Sequence, residues 1–309
     1  MVPVAAGIAS DADGNIYVTN GDSYQLFKIT PAGAISRRDR ESGGEILPRY
    51  GLVFGPEEEL YSYVWHTYPI YKFDDIASYF GSAGVTAPDT LAGGTKGYVD
   101  GDGANAKFNL DDGSNGRGAI CVDKDGNLYV ADGGNNAVRK ITPDGTVTTL
   151  AGGGPSKSGF KDGTGSAARF KGPLGIAVDS AGNVYVGDNG NEAIRKVTPE
   201  GKVTTLVSRE SAGTEVPTTY LVFDSDGNLY GITDTVVYKI LLSSDGAALS
   251  SIAGWPSETG TDDGYGWEAR FRKMKCMTVT PDGIIYVVDQ QKKGETDFIR
   301  VAKLSRDEE

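Results

Sequence analysis

Short apolar runs, separated by turns centred on Gly, Pro, Asn or Asp, recur from one end of this chain to the other. The pattern is plainest at residues 175–206. There "GIAVD" (175–179), "NVYVGD" (183–188), "AIRKVT" (193–198) and "KVTTL" (202–206) read as four strands, a to d. Ala181-Gly182 separates a from b, and Pro199-Glu200-Gly201 separates c from d, connections of the kind antiparallel hairpins require. Gly supplies 44 residues and Tyr 16 of the 309, a profile of many short strands and tight turns rather than of helix packing.

The unit repeats. The strand-b tyrosine returns as Tyr17, Tyr61, Tyr129, Tyr185, Tyr230 and Tyr286, and each copy carries a strand-c lysine, Lys28, Lys72, Lys140, Lys196, Lys239 and Lys303. The Tyr-to-Lys separation is 11 in the first four copies, then 9 and 17. A four-stranded antiparallel unit repeated in this way predicts an all-β, six-bladed β-propeller occupying 1–309 as one domain. The blades are expected at about 6–38, 49–92, 117–151, 173–207, 218–253 and 274–305. After Ser305 only Arg306, Asp307, Glu308 and Glu309 remain, and "MVPVA" is too short to reach the rim and return. The last blade is therefore expected to be incomplete, and an upstream domain is expected to be missing from this chain.

The strings "AICVDKDGNLYVADGGNNAVRKITPDG" and "GIAVDSAGNVYVGDNGNEAIRKVTPEG" resemble the NHL repeat. Three copies are preceded by an insertion, "GYVDGDGANAKF" (97–108), "GFKDGTGSAARF" (159–170) and "GTDDGYGWEARF" (260–271), similar to the NHL propellers of secreted bacterial surface proteins that often follow an IPT/TIG domain. The resemblance implies the propeller fold and an extracytoplasmic (secreted, periplasmic or cell-surface) location. Function is left open by it, because NHL propellers include scaffolds, sensors, RNA binders and enzymes.

A formal net charge of −12 speaks against a nucleic-acid partner. No apolar run is long enough to insert in a membrane as a helix. Cys121 and Cys276 fall on strand a of the third and sixth copies, across the ring from one another, too far apart for the roughly 7 Å limit on Cα separation in a disulfide. Free, buried thiols are expected.

Residues that recur in every copy are most simply explained by blade geometry. This applies to the calcium-loop look-alikes Asp11-x-Asp13-Gly14-Asn15, Asp123-x-Asp125-Gly126-Asn127 and Asp224-x-Asp226-Gly227-Asn228, which fall on the a–b turn and have no glutamate at the twelfth position. It applies equally to Asp132, Asp188 and Asp289 at the end of strand b, and to Lys107, Arg169 and Arg270, expected to tether each insertion. What breaks the pattern is more informative. Trp65, His66 and Tyr68 replace small polar residues on the second b–c loop, beside Asp102 of the first insertion, and Tyr265, Trp267 and Glu268 are additions in the third. Together they form a candidate ligand-binding set for a carbohydrate or protein partner on the b–c/d–a face. The alternative for each group is packing, under the 74–96 connection or over the last blade.

Catalytic and metal assignments are empty. His66 is the only histidine, which excludes a three-histidine zinc site, and no G-x-S-x-G elbow is present. Lactonase-type propellers, as the resemblance has them, hold calcium with Glu, Asn and Asp and need a glutamate on the first inner strand; here that strand reads "AAGIASD" (5–11). The expected function is thus non-catalytic binding or scaffolding without a cofactor. The alternative is a calcium-dependent propeller hydrolase or lyase with its site at the channel mouth.

Overall fold

The computed structural model describes residues 5–20, 25–39, 46–64, 68–81, 87–111, 119–256, 258–293 and 296–304. Its sheets follow one another along the chain. The first holds β1 (Ala5–Ser10), β2 (Ile16–Asn20), β3 (Gln25–Ile29) and β4 (Ile35–Asp39), and the second β5 (Tyr50–Phe54), β6 (Leu60–Tyr63), β7 (Pro69–Phe73) and β8 (Asp89–Gly93). The third adds a short strand, β9 (Gly101–Asp102), to β10 (Ile120–Val122), β11 (Leu128–Asp132), β12 (Ala137–Ile141) and β13 (Thr146–Gly152). The fourth does the same with β14 (Gly163–Thr164), β15 (Pro173–Val178), β16 (Val184–Asp188), β17 (Ala193–Val197) and β18 (Lys202–Ser208). The fifth holds β19 (Tyr220–Phe223), β20 (Leu229–Ile232), β21 (Val236–Ser243) and β22 (Gly246–Gly254). Finally β23 (Met274–Val279), β24 (Ile285–Lys293) and β25 (Thr296–Leu304) form a sheet of three.

The expectation of six blades is corrected by this count, whereas the expected incompleteness of the last sheet is seen. Five sheets complete the four-strand meander, so the propeller has five blades, and the last sheet stops at three strands. The reason lies in pairing: β24 and β25 run as one long ribbon, in register from Ile285↔Leu304 to Lys293↔Thr296, so the chain there is spent on a hairpin rather than on a fourth strand. The equal four-strand plan also fails in the third and fourth blades, where the insertions contribute β9 beside β13 and β14 beside β18.

Every Tyr and Lys of the repeat lie directly opposite one another on strands b and c: Tyr17↔Lys28, Tyr61↔Lys72, Tyr129↔Lys140, Tyr185↔Lys196, Tyr230↔Lys239 and Tyr286↔Lys303. The spacing therefore varies in the loop and not in the register. Where Lys140 crosses the Tyr129 ring the ammonium stands 5.7 Å from its centroid, a cation–π contact. The same tyrosine hydroxyl donates to Asp123 at 3.1 Å, and Asp123 also accepts from the Asn127 amide N–H at 2.9 Å. Asp11, Asp179 and Asp224 brace their tyrosines and asparagines alike. The calcium-like strings are thus turn braces, their carboxylates occupied by hydrogen bonds from the hairpin they close. Burial, followed by the nearby Asp179 charge and its hydrogen bond, pushes the Tyr185 hydroxyl up to about 12.

Inner strands close the ring side by side, β1 against β5 and β23, then β5 against β10, β10 against β15, β15 against β19 and β19 against β23. Ala119 N–H donates to the Leu174 carbonyl at 3.0 Å and Gly175 N–H to that of Thr218 at 2.9 Å, stitching neighbouring inner strands together. Between blades lie apolar clusters such as Tyr63, Ile70, Phe108, Leu128 and Ile141, each large side chain contributing about 1.5–3 kcal/mol by leaving water. Both cysteines are free and buried, as expected. Burial pushes the Cys121 thiol well above its usual range, with the Asp123 charge acting in the same direction.

Candidate functional site

Strands that face outward in a hairpin should not carry a buried arginine, yet Arg139 on β12 and Arg195 on β17 are fully buried. Arg139 reaches Asp132 at 2.8 Å and Asp100 at 2.7 Å, donates to the Val99 and Lys107 carbonyls, and lies between the rings of Tyr98 and Phe108, 5.2 and 5.0 Å from their centroids. Arg195 repeats the arrangement with Asp188 at 2.7 Å, Asp162 at 2.6 Å, the Arg169 carbonyl, and the Phe160 and Phe170 rings. Each arginine thereby locks an insertion to the blade that follows it. The sequence points to Lys107, Arg169 and Arg270 for that role. Arg169 instead donates to the Ser166 and Ala168 carbonyls of its own insertion, while Arg270 donates to the Trp267, Glu268 and Ala269 carbonyls of its own and also pairs with Glu258 outside it at 2.9 Å.

The lock also builds a surface. Burial pushes the Asp132 and Asp188 carboxyls up, opposed by their arginines and by hydrogen bonds. Among those hydrogen bonds, Asp132 accepts from the backbone N–H of Asn109 at 2.8 Å and Asp188 from that of Lys171 at 2.7 Å. Each insertion therefore leaves its lock in a fixed direction. Asn109 and Lys171 are then pinned over the b–c turns by Gly134 N–H donating to the Asn109 carbonyl and Gly190 N–H to that of Lys171. Only glycine permits this approach: a Cβ on Gly134 would lie 2.2 Å from Asn109 Nδ2, and one on Gly190 would lie 2.7 Å from the Lys171 carbonyl oxygen.

Between the two pinned loops, on the b–c/d–a face, runs a groove of about 410 Å³ lined by Asn109, Asp111, Asn136, Ser158, Lys171 and Asn189 and by the backbone of four glycines. Asn136 adopts a left-handed conformation, φ 51°, which turns its amide oxygen to accept from Gly172 N–H at 3.0 Å. Asn189 accepts from the Thr218 hydroxyl at 2.9 Å. The Asn109 amide oxygen is buried and has no hydrogen-bond partner among the described residues. Such a wall presents amide donors and acceptors, one ammonium and one carboxylate, held rigidly.

Residues singled out from the sequence are placed differently. Trp65 and His66 lie outside the described residues. Tyr68 is 8% exposed and belongs to the apolar cluster around Ile70 and Phe108, because a left-handed backbone, φ 63°, turns it inward. Asp102 sits on β9 at the outer edge of the third blade, accepting from the Thr146 hydroxyl at 3.2 Å. Tyr265 and Trp267 are 76% and 68% exposed, and with Glu268 they lie against β22, the outer strand of the fifth blade. The insertions fold back over the blade rims instead of over the channel, so Asp102 and the 265–268 group stand on opposite sides of the ring and do not converge. None of the groove residues was singled out beforehand; the recurring "GGNN" and "NGNE" turns after Asp132 and Asp188 were the available signal.

The central channel, a cavity of about 280 Å³, is walled by inner-strand residues such as Ile8, Leu52, Ile120, Cys121, Ile176 and Tyr220, without a charged side chain among them. Nor do the described residues contain three or more His, Cys, Asp or Glu placed to hold a metal ion. Among the described residues no donor set fits calcium in the channel.

Blades of four antiparallel strands around such a channel define a β-propeller. Within that class the chain carries NHL repeats: the family model for the NHL repeat matches residues 118–141 and 170–197. The chain is 31% identical over 194 residues to Protein SUPPRESSOR OF QUENCHING 1, chloroplastic, of Arabidopsis thaliana, a match covering 62% of this chain and 17% of that protein. It is 26% identical over 337 residues to Teneurin-1 of Mus musculus, covering 94% of this chain and 12% of that protein. The chain thus spans under a fifth of the length of these relatives. Among solved structures, a gluconolactonase from Xanthomonas campestris superposes with a TM-score of 0.59 at 13% identity, covering 94% of this chain and 84% of that one. A streptogramin B lyase superposes with a TM-score of 0.54 at 14% identity, covering 98% and 84%. The chain therefore shares its fold with propeller hydrolases and lyases.

Proposed function

We propose that this propeller is a non-catalytic binding module that engages a carbohydrate in the groove between its third and fourth blades. The observation that carries the reading is the rigid wall of side-chain amides and peptide groups between two arginine-locked loops. Amides donate and accept at once, which matches the paired donor and acceptor character of sugar hydroxyls. Rigid positioning reduces the entropy lost on binding. An enzyme reading with its site at the channel mouth finds less support, since the residues that wall the channel carry no charged side chain.

The test is a glycan array probed with the labelled protein, followed by calorimetry on whatever binds. Lys171 and Ser158 are exposed groove residues, so Lys171→Ala and Ser158→Ala should weaken binding about tenfold, or about 1.4 kcal/mol, with the melting temperature unchanged. Absence of any bound glycan, or binding indifferent to both substitutions, would refute the reading.

A further inference from the structure

One level of the inner strands departs from the repeat at a single residue. Four residues before the aspartate that follows strand a, or before Gly55 and Thr280 where that aspartate is replaced, stand Gly7, Gly51, Ala119, Gly175, Tyr220 and Cys276. Pairing fixes the level: Gly7↔Thr19, Tyr220↔Ile232 and Cys276↔Val288 each lie two residues past the repeat tyrosine of strand b. Five of the six are small, and one is a phenol. Gly175 has to be small, because a Cβ there would stand 2.9 Å from the Thr218 carbonyl oxygen. Blade geometry asks for no ring at this level, since Gly, Ala and Cys serve in the other copies.

The ring is turned across the channel. Tyr220 belongs to the fifth sheet, yet it packs against the Ile8, Ile16 and Cys276 cluster, which joins the last sheet to the first, as well as against the Met274 and Met277 cluster between the fifth sheet and the last. Toward the a–b turns it ends the cavity of about 280 Å³, whose next level is a belt of Ile8, Leu52, Ile120, Ile176, Leu221 and Met277. Every residue lining this cavity is among those described. Ser10, in the same wall, donates its hydroxyl to the Val279 carbonyl at 3.0 Å. The Tyr220 hydroxyl, also in that wall, makes no hydrogen bond among the described residues. Burial, with Cys276 and Cys121 acting in the same direction, pushes this hydroxyl above its ordinary value, so it remains an O–H donor.

We propose that this half of the channel is a binding site for a small, uncharged, apolar molecule carrying one carbonyl oxygen, which accepts a hydrogen bond from the Tyr220 hydroxyl. The site is separate from the carbohydrate groove, whose residues lie on the b–c/d–a face. Apolar walls favour a hydrocarbon body and disfavour charge, and one fixed donor sets its orientation. At about 30 Å³ for each water-sized group, the cavity has room for about nine. Acetophenone, a small aryl ketone, is of that size.

The probes are acetophenone and ethylbenzene, which differ in the carbonyl, titrated separately into the whole chain with its Ile, Leu and Met methyl groups labelled and read by NMR. Saturable shifts are expected at Ile8, Leu52, Ile120, Ile176 and Met277 with both probes. Acetophenone should bind about fivefold more tightly, and Tyr220→Phe should erase that difference while leaving the ethylbenzene affinity as it was. Because phenylalanine keeps the ring, the variant should retain the fold and the packing against Ile8 and Met277. No saturable shift at these methyl groups, shifts centred on other residues, or a Tyr220→Phe protein that still prefers the ketone would each overturn the proposal.

Discussion

Insertions 159–170 and 260–271 share the string G-x-x-D-G-x-G-x-x-A-R-F and the same hairpin, yet they stand in different surroundings. The first is bolted down by Arg195 and β18 and carries Ser166 where the second carries Trp267. The second has Ala302 at the register of that arginine and leaves Tyr265 and Trp267 exposed. A motif written in one short string therefore sets a local shape. Whether that shape becomes a wall or a ledge is decided by strand c, a separate element further along the chain.

The largest effect expected from this contrast is at the lock. Arg195→Ala would leave Asp188 buried without its cation, at a cost of about 3–5 kcal/mol, measurable as a lowered midpoint in urea unfolding. A loss below about 1 kcal/mol would mean that neither the ion pair nor the aromatic sandwich, both of which this substitution removes, holds the loop. Comparable cost is expected for the feature both hairpins share. Phe170 and Phe271 are each buried, and replacing either with alanine should cost about 3–5 kcal/mol; a marked inequality would show that the two hairpins differ in seating and not only in surroundings.

A smaller, pH-dependent effect separates them further. Partial burial alone would raise the Asp162 carboxyl, but hydrogen bonds from Arg195 and Thr205 hold it below the usual carboxylate range. A carboxyl depressed in the folded state stabilises above its unfolded value of about 4, and that stability is lost as pH falls through the folded value. Amide protection in 159–170 should thus decline below about pH 4, and Asp162→Asn should abolish that dependence. The smallest effect is at the ledge: with Trp267 at 68% exposure, Trp267→Ala should change stability by no more than about 0.5 kcal/mol in the same urea assay.

Much of the fold was legible because its signal is local. A tyrosine, a tight turn and a lysine fix the b–c register even when the intervening loop changes length, as Tyr286↔Lys303 demonstrates. The sequence also shows that the last sheet lacks a fourth strand, but six Tyr–Lys signals count six blades where five complete the meander, because that signal marks only strands b and c. The groove was missed for the opposite reason: Asn109, Asn136, Lys171 and Asn189 meet only when two blades stand side by side. Arg139 and Arg195 were overlooked because an arginine in a strand ordinarily points to water. Their signal was co-occurrence within the repeat, since the aligned residues are Phe27, Tyr71, Tyr238 and Ala302 in the other copies. For Tyr68 the sequence leaves a ligand platform and packing both open, because it does not show the left-handed backbone that turns this ring into the core.

Amide chemical-shift mapping with a bound oligosaccharide tests most directly whether the locked loops form the binding surface. The account predicts that the perturbed amides cluster at 109–111, 133–136, 171–172 and 189–190, and that Arg195→Lys, which keeps the charge but not the fork, weakens the shifts at 171–172 and 189–190 first. Perturbations centred on 265–268 or on the channel strands, with 109–111 and 189–190 unmoved, would contradict it.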